Sequence, residues 1–348
     1  MGSSLDPLIK AVRRNCDIAD ARHAGDYTLC VYLAKMREYY RWEKGLPFTE
    51  KLPHEPVGNW IRERERLWEE IADEAFVPLP LGEDHSVDPF AADAVNQTLV
   101  QDGLVYSAGI GQKGAAHFFL AELERHEEHE GFRIYVSGRE HARDLTSPPA
   151  MAQGSAIFIR RESLQRMIWE KIEEWRWNRV DNPIGRAIRY YDFERDQDGA
   201  LEEMTDAQLE TLLLHEMGEV LAGRRLGPEW EQMLSALPRS KAEIMVRAVR
   251  DHLADALSTL PALVEREQPA ALHFYFATLT NMRKCLFPSL VRAYEDWLEN
   301  GRLEPLARLI PKSLEHWQSL ADRMLELYRR HGRDSAPRLQ ALIDDNTL

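Results

Sequence analysis

His215, Glu216 and Glu219 fall within five residues of one another in the stretch TLLLHEMGEVLAGRR, residues 211–225. In helical register His215 and Glu219 share a face, while Glu216 projects about a quarter turn away. Leu212, Leu213, Leu214, Met217, Val220 and Leu221 occupy the rest of the circumference, the pattern of a buried helix. Burying charges without partners costs several kcal/mol, so a metal, an arginine or a water-filled cleft must satisfy this trio. Gly218 and Ala222 flank the same face, and a mid-helix glycine marks a close approach by a ligand or another helix.

Two chemistries fit that spacing. HEMGE resembles H-E-x-x-H with the second histidine replaced by an oxygen ligand, so His215 and Glu219 would hold a divalent metal, zinc, iron or manganese. Glu216 then keeps the general-base position, acting on metal-bound water. A third ligand would come from VRDHLADAL, where Asp251 and Asp255 are four apart with His252 between them, or from His273 in ALHFYF. In the other reading Glu216 and Glu219 pair with Arg224, Arg225, Arg247 or Arg250, and His215 is hydrogen-bonded inside a helical core.

A second candidate is SAGIGQKGAAHFF, with Gly109, Gly111 and Gly114 in G-x-G-x-x-G order and Lys113 beside them. Between a strand and a helix this would hold a nucleotide phosphate or another anion; otherwise it is a tight turn. As a Walker loop it fails, because Ala115 and Ala116 follow Gly114. ERDQDGALEE has the core of a calcium loop but lacks its first and twelfth ligands, and it reads as a polar turn before a helix. Arginines interleave with aromatic rings in REYYRWEKG, EEWRWNR and IRYYDFER, a composition suited to docking an anionic partner or to snorkelling over a core.

The elements that must position these residues divide the chain into an N-terminal helical region, 1–95, a small α/β module, 96–180, and a C-terminal helical bundle, 181–348. Residues 20–43 read as one long helix ended by Gly45 and Pro47, and residues 57–76 as another. Short β-branched and aromatic runs predict strands near 104–108, 132–137 and 154–160, with AAHFFLAELERHEEHE as a helix between the first two. Residues 205–208 and 240–243 are capping boxes, the first opening the His215 helix. Prolines 261, 269, 288, 305 and 311 divide the remainder, Pro288 as a kink. The expected fold class is mainly α, a helical bundle with a small α/β insert.

Composition bounds the function classes. The chain has 348 residues, with 58 acidic against 44 basic, and the net charge of -14 argues against a broad nucleic-acid surface. Cys16, Cys30 and Cys285 form neither a disulfide framework nor a thiolate metal knuckle, which fits a reducing cytoplasm. The start carries no secretory pattern and no apolar run is long enough for a bilayer, so a cytoplasmic protein without a membrane span is expected. A nucleophile elbow, a di-iron Glu-x-x-His pair and a His-Asp dipeptide have no counterpart.

CVYLAKMREYYRWEKG, YVSGREHARDLTSPPAM and LLLHEMGEVLAGRRLG together resemble a family of uncharacterised bacterial proteins. The resemblance spans much of the chain and implies no activity, cofactor or catalytic residue. It does imply that the three segments belong to one functional body, which adds His141 and Arg143 as site members. The expected function is a cytoplasmic metal-dependent hydrolase, with His215 and Glu219 as ligands, Asp255 or His252 as a third and Glu216 as general base. The alternatives are a non-enzymatic helical interaction protein, or a nucleotide or anion binder at the glycine loop; the partner is a small molecule or a protein.

Overall fold

The structure is a computed structural model that describes residues 5–82, 85–111, 114–129 and 131–348. It is mainly helical with a small sheet. The chain forms two compact units, Met1–Glu173 with Asp192–Asp206, and Glu174–Tyr191 with Ala207–Leu348.

The first unit begins with α1 (Leu5–His23), α2 (Leu29–Glu43) and α3 (His54–Ile71). The single helix expected over 20–43 is broken. Ala24–Asp26 form one 3-10 turn, and Tyr27 and Thr28 are extended, so the rest of the expected helix is α2. A two-stranded ribbon, β1 (Leu79–Pro80) and β2 (Ser86–Val87), precedes α4 (Ala92–Leu99). A five-stranded sheet follows: β3 (Leu104–Ile110), β4 (Ala116–His129), β5 (Phe132–Arg143), β6 (Ala150–Gln153) and β7 (Ala156–Arg160), in the order β3-β4-β5-β7-β6. Among the described residues only the β5–β7 pair is parallel.

The expected helix over residues 115–130 is instead β4. Its alanines, glutamates and leucines favour a helix, but the buried run alternates by two. Phe118 and Leu120 pack with Val12 and Cys16 of α1, while Phe119 and Ala121 pack with Tyr135 and Phe158 on the other face. Pairing along both edges, to β3 and β5, overrides the local preference. The N-terminal helices and the sheet thus share cores.

Helix α5 (Arg161–Asn178), the short α6 (Pro183–Ile188) and α7 (Gln197–Leu226) lead into α8 (Pro228–Ala236) and α9 (Lys241–Ala254). Thr205 does not open the His215 helix. It lies inside α7 with its hydroxyl donating to the Leu201 carbonyl at 2.6 Å, while Asp196, in the calcium-like turn, accepts the Gly199 N–H at 3.0 Å just before the helix. Ser240 does cap α9, accepting the Glu243 N–H. Beyond α9 come α10 (Leu260–Arg266), α11 (Pro269–Thr278), α12 (Asn281–Leu286), α13 (Pro288–Asn300), α14 (Glu304–His331) and α15 (Ala336–Asp344). Pro288 starts α13 and kinks nothing, because its missing N–H is free of cost in a first turn; Pro311 lies inside α14. Trp230 and Trp317 are buried in the core of the second unit. Among the described residues no helix is long and apolar enough to cross a membrane.

Candidate functional site

In the second unit α7 supplies His215, Glu216 and Glu219, and the turn directly after α9 supplies Asp255. His215 Nδ1 donates to Asp255 Oδ1 at 2.8 Å, and Nε2 lies 3.5 Å from Glu219 Oε1. Asp255 is fully buried, and its other oxygen accepts from the Tyr275 hydroxyl at 2.6 Å and from the Arg283 guanidinium. Arg250 of α9 closes the other side, donating to Glu219 Oε2 at 3.1 Å and to Glu231 at 3.3 Å. The His215 side chain keeps 25% of its exposure, so the imidazole reaches solvent while its anchor does not.

Two local features bring the helices to this geometry. Gly218 faces the Ala254 carbonyl so closely that a Cβ would lie far inside van der Waals contact, so the expected close approach is by a helix backbone. After Ala254 the backbone widens into a π-helical turn, Asp255–Thr259, closed by the Leu260 N–H on the Asp255 carbonyl. Such turns insert one extra residue and re-aim the side chains at their start.

The charges tune one another. Burial opposes charge on His215, but hydrogen bonds to Asp255 and Glu219 outweigh it and hold the imidazole well above its ordinary pKa. Burial would raise Glu219, yet His215 and Arg250 pull it down to about 2. Asp255 is likewise lowered against its burial, by Arg283 and His215. Glu216 goes the other way: burial and the Glu219 charge push it up to about 7.

The remaining expected residues are placed elsewhere. His252 donates from Nε2 to the Arg283 carbonyl at 3.0 Å, stacks on Trp317, and is lowered to about 3 by burial and Arg283. It is a neutral core histidine, turned to the α12 backbone rather than to His215. His273 is hydrogen-bonded to the Tyr294 hydroxyl at 2.8 Å. Asp255 joins the cluster, but both its oxygens are occupied as described. Among the described residues no three His, Cys, Asp or Glu side chains are grouped as a metal site would require.

Gly109 lies in β3 opposite His117, and Gly111 and Gly114 lie in the connection to antiparallel β4, where the Gly111 N–H donates to the Ala115 carbonyl at 2.7 Å. The next described element is the strand β4, so the strand-to-helix context of a phosphate cradle is missing. The glycines have local reasons instead: Gln153 and His117 crowd Gly109 and Gly111, and Gly114 has a φ of +75°. Lys113 lies outside the described residues. His141 in β5 stands 3.7 Å from Glu122, and its carbonyl accepts from Arg13. Arg143 ends β5 with its guanidinium 4.7 Å over the Trp42 ring. Tyr39 and Tyr40 of the arginine–aromatic runs are core, whereas Trp177 is 86% exposed.

Tyr275 and Arg283 were not expected at this site. Tyr275 is one ring in an apolar helix and Arg283 one cation in NMRKCL, and neither has a spacing that ties it to His215.

Residues 7–160 match the N-terminal domain, and residues 165–346 the C-terminal domain, of a family of unknown function (DUF6866). No curated protein and no solved structure matches the chain. The chain belongs to the DUF6866 family.

Proposed function

We propose that this member of a family without an assigned activity is a hydrolase whose acid–base chemistry runs on His215 and Glu216. The carrying observation is the relay behind the imidazole: a buried carboxylate, Asp255, fixed by Tyr275 and Arg283, holds Nδ1 of a quarter-exposed histidine. That hydrogen bond orients the ring and keeps it charged, so Nε2 carries a proton for a leaving group. Glu216, with its carboxyl near 7, takes the proton of the attacking water. Both groups bind their protons more tightly than they do in water, and Glu216, near 7, is the one poised to exchange a proton at neutral pH. The exposed thiols of Cys30 and Cys285 support a reducing, cytoplasmic setting, and a small molecule is the partner this reading requires.

A second reading keeps a divalent cation, zinc, iron or manganese, at His215 and Glu219. Metal-bound histidines carry a carboxylate on the far nitrogen as His215 does, and Glu219 faces Nε2. The donor set is then two side chains, with one oxygen of Glu219 already on Arg250.

Elemental analysis of wild type and His215→Ala, purified without chelators, separates the readings when run beside a panel of carboxyl esters, phosphoesters and amides. The acid–base reading expects metal-free protein and turnover that falls at least about 100-fold in both His215→Ala and Glu216→Gln with the fold intact. A stoichiometric metal lost in His215→Ala selects the second reading. Turnover indifferent to both substitutions sinks the two together.

A further inference from the structure

The first unit contains a cavity of about 330 Å³ that is unrelated to His215, lined by α2 and the loop after it, the end of β5, the start of α5 and residues near 200. That volume suits a small organic ligand. Trp42, Phe48 and Leu201 form its apolar part, and Arg143 and Arg166 its cationic part.

Both arginines are almost wholly buried, at 3% and 6% exposure, and neither is fully partnered. Arg143 Nη2 donates to the Glu38 carbonyl at 3.2 Å and Nη1 lies 3.6 Å from Glu140, while Nε has no hydrogen-bond partner. Arg166 Nη2 donates to the Ser147 carbonyl, Nη1 lies 3.7 Å from the half-exposed Glu170, and its Nε is also unmatched. The nearby carboxylate Glu140 is committed to a third buried guanidinium, Arg160, at 2.8 Å, and to Ser163. Arg41, also in the wall, is paired with Glu38 at 3.0 Å, and the other three buried guanidiniums, Arg143, Arg160 and Arg166, stand against two carboxylates held ionised, Glu140 and Asp144. Burial and Glu140 push the neighbouring acid Glu162 up to about 7, so at neutral pH it supplies only part of the missing charge. A buried, underpaired cation is costly, and a ligand anion removes that cost.

The backbone around Arg166 is built with strain. Ser147 has a φ of +40°, in the left-handed region, and is pinned there by Asp144 accepting its N–H at 2.7 Å. Its hydroxyl meets Ser163 at 2.6 Å, and its carbonyl aims Arg166. Strain of this kind persists where the surroundings over-determine it, and it gathers at ligand clamps.

We propose that this cavity binds a small organic anion, a carboxylate or phosphate monoester with an aromatic or apolar body, its charge on Arg143 and Arg166 and its body against Trp42 and Phe48. The acids at the mouth, Asp198 and Glu202, are exposed and so count for less than the desolvated guanidiniums. The assignment is independent of the hydrolase reading, and His215→Ala is expected to bind as wild type.

Calorimetric titration of the full chain at neutral pH with phenylacetate, benzyl phosphate, neutral phenylacetamide and cationic phenethylamine tests it. At least one anion should bind saturably with a Kd below about 1 mM, and the amide and amine at least about tenfold more weakly. A preference for benzyl phosphate assigns a phosphate ester, and the reverse a carboxylic acid. Arg166→Gln should weaken the anion about tenfold or more. Since that change could disturb the core, Glu202→Lys at the exposed mouth is the second variant and should tighten anion binding about threefold. Equal affinity for the amide, preference for the amine, or no saturation by either anion up to about 10 mM overturns the assignment.

Discussion

Asp255 is the residue on which the C-terminal site depends, because it faces two cations and a phenol from a position without solvent. Replacing it with Asn keeps the shape and removes the charge that Arg283 was buried against. Breaking a buried pair in this way costs about 3–5 kcal/mol. Glu231, the other partner of Arg250, is 64% exposed, and Glu231→Gln should cost less than about 1 kcal/mol. Urea denaturation of the two variants checks the contrast, and equal midpoints would refute the role given to Asp255. At this scale part of the site was legible. HEMGE announces itself because three ionisable groups interrupt an apolar helix, and Asp255 and Arg250 were among the candidates that the next helix offered. Tyr275 and Arg283 were not, since their link to His215 exists only through helix packing. His252 misled for the opposite reason: it sits between two acids in sequence, but its helix turns it to the Trp317 side.

Elements were read well where one periodicity dominated and badly where two competed. After Tyr191 helices start at Pro269 and Pro288, beside Pro305 and after the Ser240 cap as expected, while Thr205 and Pro311 fall inside helices, and β3, β5 and β7 follow their β-branched runs. β4 was lost because Ala116–His129 is rich in good helix formers, while the alternation of Phe118 to Ala121 between two cores is fixed by strands on either side. The same misreading put a helix after the glycine loop where β4 stands. Gly218 was correctly marked as a close approach, and its neighbour proves to be the Ala254 carbonyl. Gly218→Ala would gain about 1 kcal/mol of helix propensity if the site were open. Here the added methyl must push α7 off the π-helical turn, so a net loss of about 1–3 kcal/mol is expected. A thermal midpoint at or above wild type would show that the two backbones are not held together as described.

At the scale of the whole chain, the buried carboxylates set opposing limits on stability as pH changes. Glu219, Asp255, Glu140 and Asp144 are held below their ordinary values by cations and donors, Glu219 at about 2. Such groups stabilise the fold above the unfolded pKa of about 4, and that contribution is lost as pH falls through the folded value. Glu216 and Glu162 are raised to about 7 by burial and neighbouring acids. Their contribution is complete below their unfolded pKa and disappears as pH rises through 7, where each must ionise in place. His215, raised by Asp255 and Glu219, adds to the alkaline loss, since its contribution is full below its unfolded value and fades as pH passes the folded one. A net charge of -14 adds self-repulsion on the same side. Stability should therefore peak near about pH 4 to 5 and decline toward both ends. For Glu216, 8% exposed, the shift to about 7 corresponds to at most about 3 kcal/mol at pH 9. Glu216→Gln should recover much of that at pH 9 and little at pH 5, and combining it with Glu162→Gln should flatten the alkaline limb of a thermal-midpoint profile. An alkaline limb unchanged by both substitutions would mean that the two carboxyls ionise in the fold as easily as they do in water.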